Sequence, residues 1–183
     1  MQVYIALLRG INVSGHNKIP MAELRLMFQG MGHGRAQTYI QSGNVVFEAE
    51  AEEAPALALR IEDAIESRFG FRVRVMIRTA EEWDAIIRDC PYEASALGEA
   101  ESIQVSLLAD DAPGPEEIAR KLDPGNEQDE YRVIGRELYL LLRQRMSESK
   151  LADNLVKLRN TVTTRNWRTM LKLQEMANAM RDS

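Results

Sequence analysis

The sequence predicts an α+β protein of two ferredoxin-like halves packed together, each with the element order β-α-β-β-α-β, and a C-terminal helix. Strand-length apolar runs alternate with amphipathic helical patterns, and two glycine-containing turns each separate a pair of β-rich runs. The same order of patterns occurs twice in 183 residues, without sequence identity between the copies. We expect the halves to span residues 1–90 and 91–183, or to form one intertwined domain.

Hydrophobic periodicity and turn residues define the first half. Pro20 suits a first helical turn, Gly32 and Gly70 suit helix ends, and Ser42-Gly43 suits a hairpin turn. The first segment is apolar on both faces, as in a central strand. The predicted elements are a strand over residues 2–9, a helix between residues 20 and 32, a hairpin of residues 36–41 and 44–49, a helix ending at Gly70 and a strand over residues 72–78.

The second half repeats this order after a linking helix. Thr79 and Glu82 form a capping-box pair that starts the linking helix, and Pro91 ends it. Residues 123–130 are the most polar, loop-like stretch. The other predicted elements are a strand over residues 103–107, a short helix behind Pro115, a hairpin around Gly135-Arg136, a helix carrying Leu151, Leu155 and Leu158, a strand at residues 162–164 and a final helix over residues 165–180.

The composition limits the cellular location and the metal or cofactor sites that we expect. The single cysteine, Cys90, excludes an intrachain disulfide and a cysteine-based zinc cluster, so we expect a reducing, cytoplasmic location. The N-terminal apolar run is too short for a membrane span and lacks a basic leader, so we expect neither a signal peptide nor a membrane partner. His16 and His33 lie far apart in sequence, and we expect no metal and no cofactor.

Charge is unevenly distributed along the chain. Residues 1–142 contain 14 Lys and Arg against 24 Asp and Glu, and residues 143–183 contain 9 against 4. The net charge of −5 argues against strong non-specific binding of nucleic acid, which depends on many cations that neutralise phosphates. The basic final quarter either contributes to a local anion site or docks on the acidic remainder of the chain.

Polar residues capable of binding a ligand form four groups in the sequence. Antiparallel pairing of the first and third strands predicts that Arg9 and Gly10 lie beside Ser42 and Asn44, with Arg72 towards the same edge. Ser149-Lys150 and Thr164-Arg165 stand near predicted helix starts, which favour anions. The candidate ligand-binding residues are Arg9, Asn12, His16, Lys18, Tyr39, Gln41, Ser42, Asn44, Ser149, Lys150, Arg165 and Asn166.

Each group also has a structural interpretation. The loop of residues 10–18 has the glycines and cations of an anion site, but it lacks the P-loop spacing and equally suits a simple turn. Ser42-Gly43-Asn44 is ordinary hairpin chemistry. Ser147 and Lys150 match the S-x-x-K motif of penicillin-recognising enzymes, but its companion motifs are missing, and we regard the match as accidental.

Read together, the strings RGINVSGHNKIPM, TYIQSGNVVF, SKL and TTRNW resemble a bacterial family known as domain of unknown function 1697 (DUF1697). The resemblance covers nearly the whole chain and implies two ferredoxin-like α+β halves, with no established activity. This chain departs from the family at Ser14, where glycine is more usual, and in the segment before SKL, which lacks a glycine. The motif residues are Arg9, Gly10, Asn12, Gly15, Tyr39, Gln41, Ser42, Gly43, Asn44, Ser149, Lys150, Leu151, Thr164, Arg165, Asn166 and Trp167.

The donors favour binding of a small anionic or phosphate-bearing ligand, such as a nucleotide or a nucleic-acid end, between the two halves. A first alternative is an enzyme in which the same donors stabilise an oxyanion or phosphoryl group while Tyr39, His16 or Lys150 moves a proton. A second alternative is a structural role for the motifs, with function in a protein interface. The sequence does not decide between these hypotheses or set the oligomeric state.

Overall fold

A computed structural model describes residues 1–125 and 128–183 and confirms the predicted α+β class with two ferredoxin-like halves. The chain divides into two compact units, one formed by Met1–Ala85 with Leu171–Ser183 and the other by Ile86–Met170. Each unit contains a four-stranded antiparallel sheet. None of the helices among residues 1–125 and 128–183 combines the length and the hydropathy of a transmembrane segment.

The described residues form eight strands and six α-helices. The strands are β1 (Gln2–Leu8), β2 (Gln37–Thr38), β3 (Asn44–Ala49), β4 (Val75–Thr79), β5 (Ser102–Leu108), β6 (Glu130–Ile134), β7 (Glu137–Leu142) and β8 (Val162–Asn166). The helices are α1 (Met21–Gly30), α2 (Ala54–Phe69), α3 (Ala80–Arg88), α4 (Pro115–Lys121), α5 (Lys150–Asn154) and α6 (Trp167–Asp182). Short 3₁₀ helices occupy Ala94–Ala96, Met146–Glu148 and Leu155–Thr161.

The first sheet has the strand order β2-β3-β1-β4, in which the central strand β1 pairs antiparallel with β3 and β4. Alternate residues of β1 face a core that also receives the apolar faces of α1 and α2, since strand side chains alternate between the two faces of a sheet. The centre of this core is formed by Tyr4, Ala6, Leu8, Leu24, Phe28, Phe47, Leu57, Ile61 and Ile65.

The second sheet reproduces the first sheet's topology and register with different side chains. Its order is β6-β7-β5-β8, and β5 pairs with β7 and β8 as β1 pairs with β3 and β4. The bond from the Leu8 amide to the Gly43 carbonyl, 2.9 Å, recurs as the bond from Leu108 to Arg136, also 2.9 Å. The repeat predicted from element order is therefore also a repeat of backbone hydrogen bonding.

In both units the fourth strand runs directly into a helix whose first turn is capped by the strand's last residue. Thr79 Oγ1 accepts a hydrogen bond from the Glu82 amide at 3.1 Å, which confirms that the predicted cap starts α3. At the start of α6, Asn166 Oδ1 accepts a hydrogen bond from the Thr169 amide at 2.9 Å. A side-chain oxygen at the strand end satisfies a helix N–H group in each case.

Helix α6 is divided between the two compact units. Its residues 167–170 belong to the second unit, and Leu171–Ser183 belongs to the first. The division between residues 90 and 91, or the single intertwined domain, stays a prediction from the sequence. Within the first unit, Asp84 accepts hydrogen bonds from Gln174 Nε2 at 3.0 Å and from Arg181 at 2.7 Å. Arg35 also donates to the Met180 carbonyl at 3.0 Å.

Several predicted elements are shorter in the structure. Strand β2 ends at Thr38, and Ile40 adopts a left-handed φ of 50°, which is incompatible with a continued strand. The predicted helix through Leu158 is the five-residue α5 followed by a 3₁₀ segment in which Arg159 has a φ of 56°. In the loop-like stretch of residues 123–130, Asp129 is buried, and residues 126 and 127 lie outside the described residues.

A buried histidine lies inside the first core. The His33 ring centroid lies 5.2 Å from that of Phe47 and 6.1 Å from that of Phe28. Its Nε2 has no hydrogen-bond partner among the described residues. Burial lowers the pKa of His33 below its usual 6.5, the charge of Arg60 lowers it further, and Glu52 opposes the shift. The neutral imidazole is thus the form compatible with the fold.

We expect His33 to make the protein less stable in mild acid. The contribution of neutral His33 to the free energy of unfolding is complete above the pKa that His33 has in the unfolded chain. It is lost as the pH falls through the lower pKa of the folded protein, because the unfolded chain binds the proton more tightly. Urea unfolding between about pH 7.5 and about pH 5 measures this loss, and His33→Phe should reduce the pH dependence. An identical pH dependence in wild type and His33→Phe would show that His33 does not titrate on unfolding.

Gly43, in the turn between β2 and β3, has a φ of 92° and lies against the first core. A Cβ at this position would lie 2.8 Å from Leu8 Cβ and 2.9 Å from Ile11 Cδ1. We expect Gly43→Ala to lower the free energy of unfolding by about 2–4 kcal/mol, from overpacking and left-handed strain together. Gly32→Ala is the matched control, because Gly32 has a φ of 86° with open space around it.

Gly32→Ala should lower the free energy of unfolding by about 1 kcal/mol, from left-handed strain alone. Chemical denaturation of both variants measures the difference. Equal losses of stability in the two variants would mean that the close approach of Gly43 to Leu8 and Ile11 contributes nothing.

Candidate functional site

The predicted adjacency of Arg9 with the Ser42–Asn44 turn is confirmed by strand pairing. Leu7 pairs with Asn44, and the Leu8 amide donates to the Gly43 carbonyl at 2.9 Å. On the other side, the Arg9 amide donates to the Arg74 carbonyl at 2.9 Å. We call Arg9, the loop of residues 10–18 and the turn of residues 39–44 the first-sheet edge.

The loop of residues 10–18 has an unusual number of left-handed residues. Positive φ values occur at Gly10 (72°), Asn12 (54°), Ser14 (50°), Gly15 (77°) and Asn17 (51°). The consecutive positive φ values of Ser14 and Gly15, with a 2.8 Å bond from the His16 amide to the Val13 carbonyl, form a tight turn of the type I′ pattern. Asparagine and glycine tolerate this region best, so the sequence is matched to the loop's conformation.

Asn12 joins this loop to the neighbouring turn. Its Nδ2 donates to the Gln41 carbonyl at 2.8 Å and to the Ile19 carbonyl at 3.1 Å, while its Oδ1 accepts from the Ile19 amide at 2.9 Å. These bonds use both N–H groups of Nδ2, and Oδ1 accepts one hydrogen bond. Asn12 therefore positions the loop and the turn relative to each other.

The turn of residues 39–44 is built around a buried amide. Asn44 is fully buried, and its Nδ2 donates to the Tyr39 carbonyl at 2.8 Å and to Ser42 Oγ at 2.9 Å. Ile40, at the exposed tip, has a φ of 50°. This conformation is an outlier for a β-branched residue, and such strain is concentrated at functional positions in proteins.

The exposed part of the first-sheet edge includes several polar side chains. His16, Lys18 and Gln41 are exposed, and Arg9 and Tyr39 are half-buried. Within the described part of the chain, Lys18 and His16 form no ion pair, and the Ser14 and Gly15 amides have no acceptor. Arg72, by contrast, pairs with Asp63 at 2.6 Å and Glu62 at 3.2 Å on α2, where its pKa is raised chiefly by the bond to Asp63.

In the second unit, Ser149 belongs to a buried hydrogen-bond network. Its Oγ donates to Asp129 at 2.9 Å and accepts from the Ala152 amide at 3.1 Å, where it caps α5. Asp129 also accepts from the Arg143 amide and from Gln144 Nε2, both at 2.8 Å. Ser149 thus fixes the segment before α5, while Lys150 is exposed.

Arg165 is a buried cation on β8. Its Nη1 donates to Thr163 Oγ1 and to the Thr164 carbonyl, both at 2.9 Å. Burial lowers the pKa of Arg165 to about 10, so it remains charged at neutral pH. Asn166 is exposed, and its side chain caps α6.

The structure brings eight candidates together at the first-sheet edge: Arg9, Asn12, His16, Lys18, Tyr39, Gln41, Ser42 and Asn44. The other four, Ser149, Lys150, Arg165 and Asn166, belong to the second unit. The sequence did not indicate a further polar cavity around Tyr92 and Arg132, because neither residue belongs to a recognisable motif.

Comparisons with known proteins agree with this fold. A solved structure described as a conserved bacterial protein, SP0830, from Streptococcus pneumoniae matches with a TM-score of 0.78 and 21% sequence identity, over 96% of this chain and 98% of that chain. At this identity the match shows the fold alone. A search of the curated proteins finds no match.

A family model described as a protein of unknown function, DUF1697, matches residues 1–139. The match contains both strings of the first-sheet edge, RGIN and YIQSGN, whereas SKL and TRNW lie beyond it. With three quarters of the sequence matched, this chain belongs to the DUF1697 family, whose function is unknown.

Proposed function

We propose that this protein binds a small anionic or phosphate-bearing ligand, such as a nucleotide or a nucleic-acid end, at the first-sheet edge. The observation that carries the proposal is the Ser14-Gly15 tip, where amide N–H groups without an acceptor in the described chain lie in the same loop as Lys18 and His16. Backbone N–H groups in left-handed turns, supported by a cation, form concave sites for phosphate oxygens. Arg9 provides a second cation at the base of the loop.

The loop is held in this conformation before any ligand arrives. Asn12 fixes both the loop and the Gln41 carbonyl, and the buried Asn44 fixes the turn behind them. A preorganised site avoids the entropy cost of ordering its donors on binding. Ser14 and Ile40, which are neither glycine nor asparagine, hold left-handed φ values that are unfavourable for them, and such strain is concentrated at functional sites.

The charge of the whole chain defines which ligands fit. A net charge of −5 disfavours long nucleic acids, so a short ligand with a localised phosphate is the best match for this edge.

We also infer a reducing, cytoplasmic location from the presence of a single cysteine, Cys90.

Thermal unfolding with phosphate, mononucleotides and short oligonucleotides tests the proposal. A ligand at 100 times its Kd should add about 2.7 kcal/mol to the free energy of unfolding. Lys18→Gln should remove a charge-assisted bond and weaken binding at least about tenfold, with little change in the unliganded Tm because Lys18 is exposed.

Lys157→Gln is the matched control, since Lys157 is an exposed lysine of the second unit. It should bind as wild type does. The proposal is wrong if none of these anions raises the wild-type Tm, or if Lys18→Gln and Lys157→Gln weaken binding equally. Conversion of a bound nucleotide to product in the same samples would favour the enzyme alternative.

A further inference from the structure

The second unit contains a cavity of 290 Å³ that lies apart from the first-sheet edge in sequence. One wall is a face of the second sheet, and the other is the segment that follows α3 and includes the 3₁₀ helix Ala94–Ala96. This volume is just below the range for ligand pockets, about 300–1,000 Å³, and suits a molecule smaller than a nucleotide.

Strand register places the cavity's polar and apolar groups on one face of the sheet. Glu130 on the edge strand β6 pairs with Leu141 on β7, and directly paired residues share a face. Arg132 lies two residues further along β6 and faces the same side. Leu141, with Pro91 and Leu97 from the facing segment, provides the apolar part of the lining.

Only some of the charged side chains in the lining form ion pairs within the described residues. Arg143 is paired, at 2.6 Å to Glu101 and 3.4 Å to Glu130. Arg132 and Glu93 are exposed, and neither has an ion-pair partner among residues 1–125 and 128–183. The lining therefore offers a cation, Arg132, together with an excess of carboxylates, a combination that matches a ligand carrying both charges.

Tyr92 contributes a hydrogen-bonding group with no partner. Its hydroxyl is buried and has neither donor nor acceptor within the described residues, which is unfavourable for a phenol. Burial, followed by the charge of Glu130, raises the pKa of Tyr92 to about 12, so the hydroxyl keeps its proton at neutral pH. A ligand oxygen within reach would give this group a hydrogen bond.

We propose that this cavity binds a small zwitterion of the amino-acid type with an apolar side chain. Its carboxylate pairs with Arg132, its ammonium group faces Glu93 and Glu130, and its side chain packs against Leu141, Pro91 and Leu97. The Tyr92 hydroxyl donates a hydrogen bond to the ligand.

Isothermal titration of the full chain with L-leucine, L-methionine and L-phenylalanine tests this proposal. We expect at least one of them to saturate the protein. Its amide, which lacks the carboxylate, and its N-acetyl derivative, which lacks the ammonium group, should bind at least about tenfold more weakly. Failure of all three amino acids to bind at about 10 mM would overturn the proposal.

Two variants assign the binding to the cavity. Arg132→Gln should weaken binding at least about tenfold, while Arg145→Gln, which changes an exposed arginine outside the lining, should not. Tyr92→Phe should weaken binding without lowering the unliganded Tm. Equal effects of the two arginine variants, or a lower Tm with unchanged affinity in Tyr92→Phe, would contradict the proposal. Because phosphate binding at the first-sheet edge should be unchanged in Arg132→Gln, the two proposals fail separately.

Discussion

The antiparallel register between β1 and β3 is the constraint on which the first unit depends. It places the Gly43 carbonyl against the Leu8 amide and brings Gly43 so close to Leu8 and Ile11 that a Cβ there would clash with both side chains. Once this register is set, Arg9 leaves the sheet beside the turn. The first-sheet edge is therefore a consequence of core packing, since the residues that could bind a ligand stand where the buried strands end.

The family strings combine two kinds of residue. Asn12, Asn44 and Ser149 use their side chains in hydrogen bonds that fix loops, and Asn44 and Ser149 are fully buried. Lys18, His16 and Gln41 remain exposed. A short string such as YIQSGN thus contains both buried residues that fix a turn and residues exposed on its surface.

Most of the fold could be predicted because its signals are local. Apolar periodicity located the helices, Thr79 with Glu82 located the start of α3, and the Ser42-Gly43 turn located the hairpin. Ile40 could not be anticipated, since no local preference gives a β-branched residue a positive φ. The hydrogen bonds from Gln174 and Arg181 to Asp84 join residues about ninety positions apart, and no local pattern encodes such contacts.

The candidate site was predictable only in part for the same reason. Strand adjacency placed Arg9 beside Asn44, but composition alone could not show that Arg72 is committed to Asp63 or that Asp129 holds Ser149. The cavity around Tyr92 arises from tertiary packing between β6, β7 and the segment after α3, and its residues carry no motif.

The early end of β2 has a consequence for self-association. An edge strand exposes unpaired backbone groups that can recruit a strand from another molecule, and long flat edges are a common origin of aggregation. Because β2 comprises only Gln37 and Thr38, that edge of the first sheet offers almost no template. The longer edge strand β6 carries Glu130 and Arg132, and such charges oppose pairing of β6 with a strand of a second chain. The left-handed conformation of Ile40, two residues after β2 ends, thus limits the length of the edge strand to which another molecule could pair.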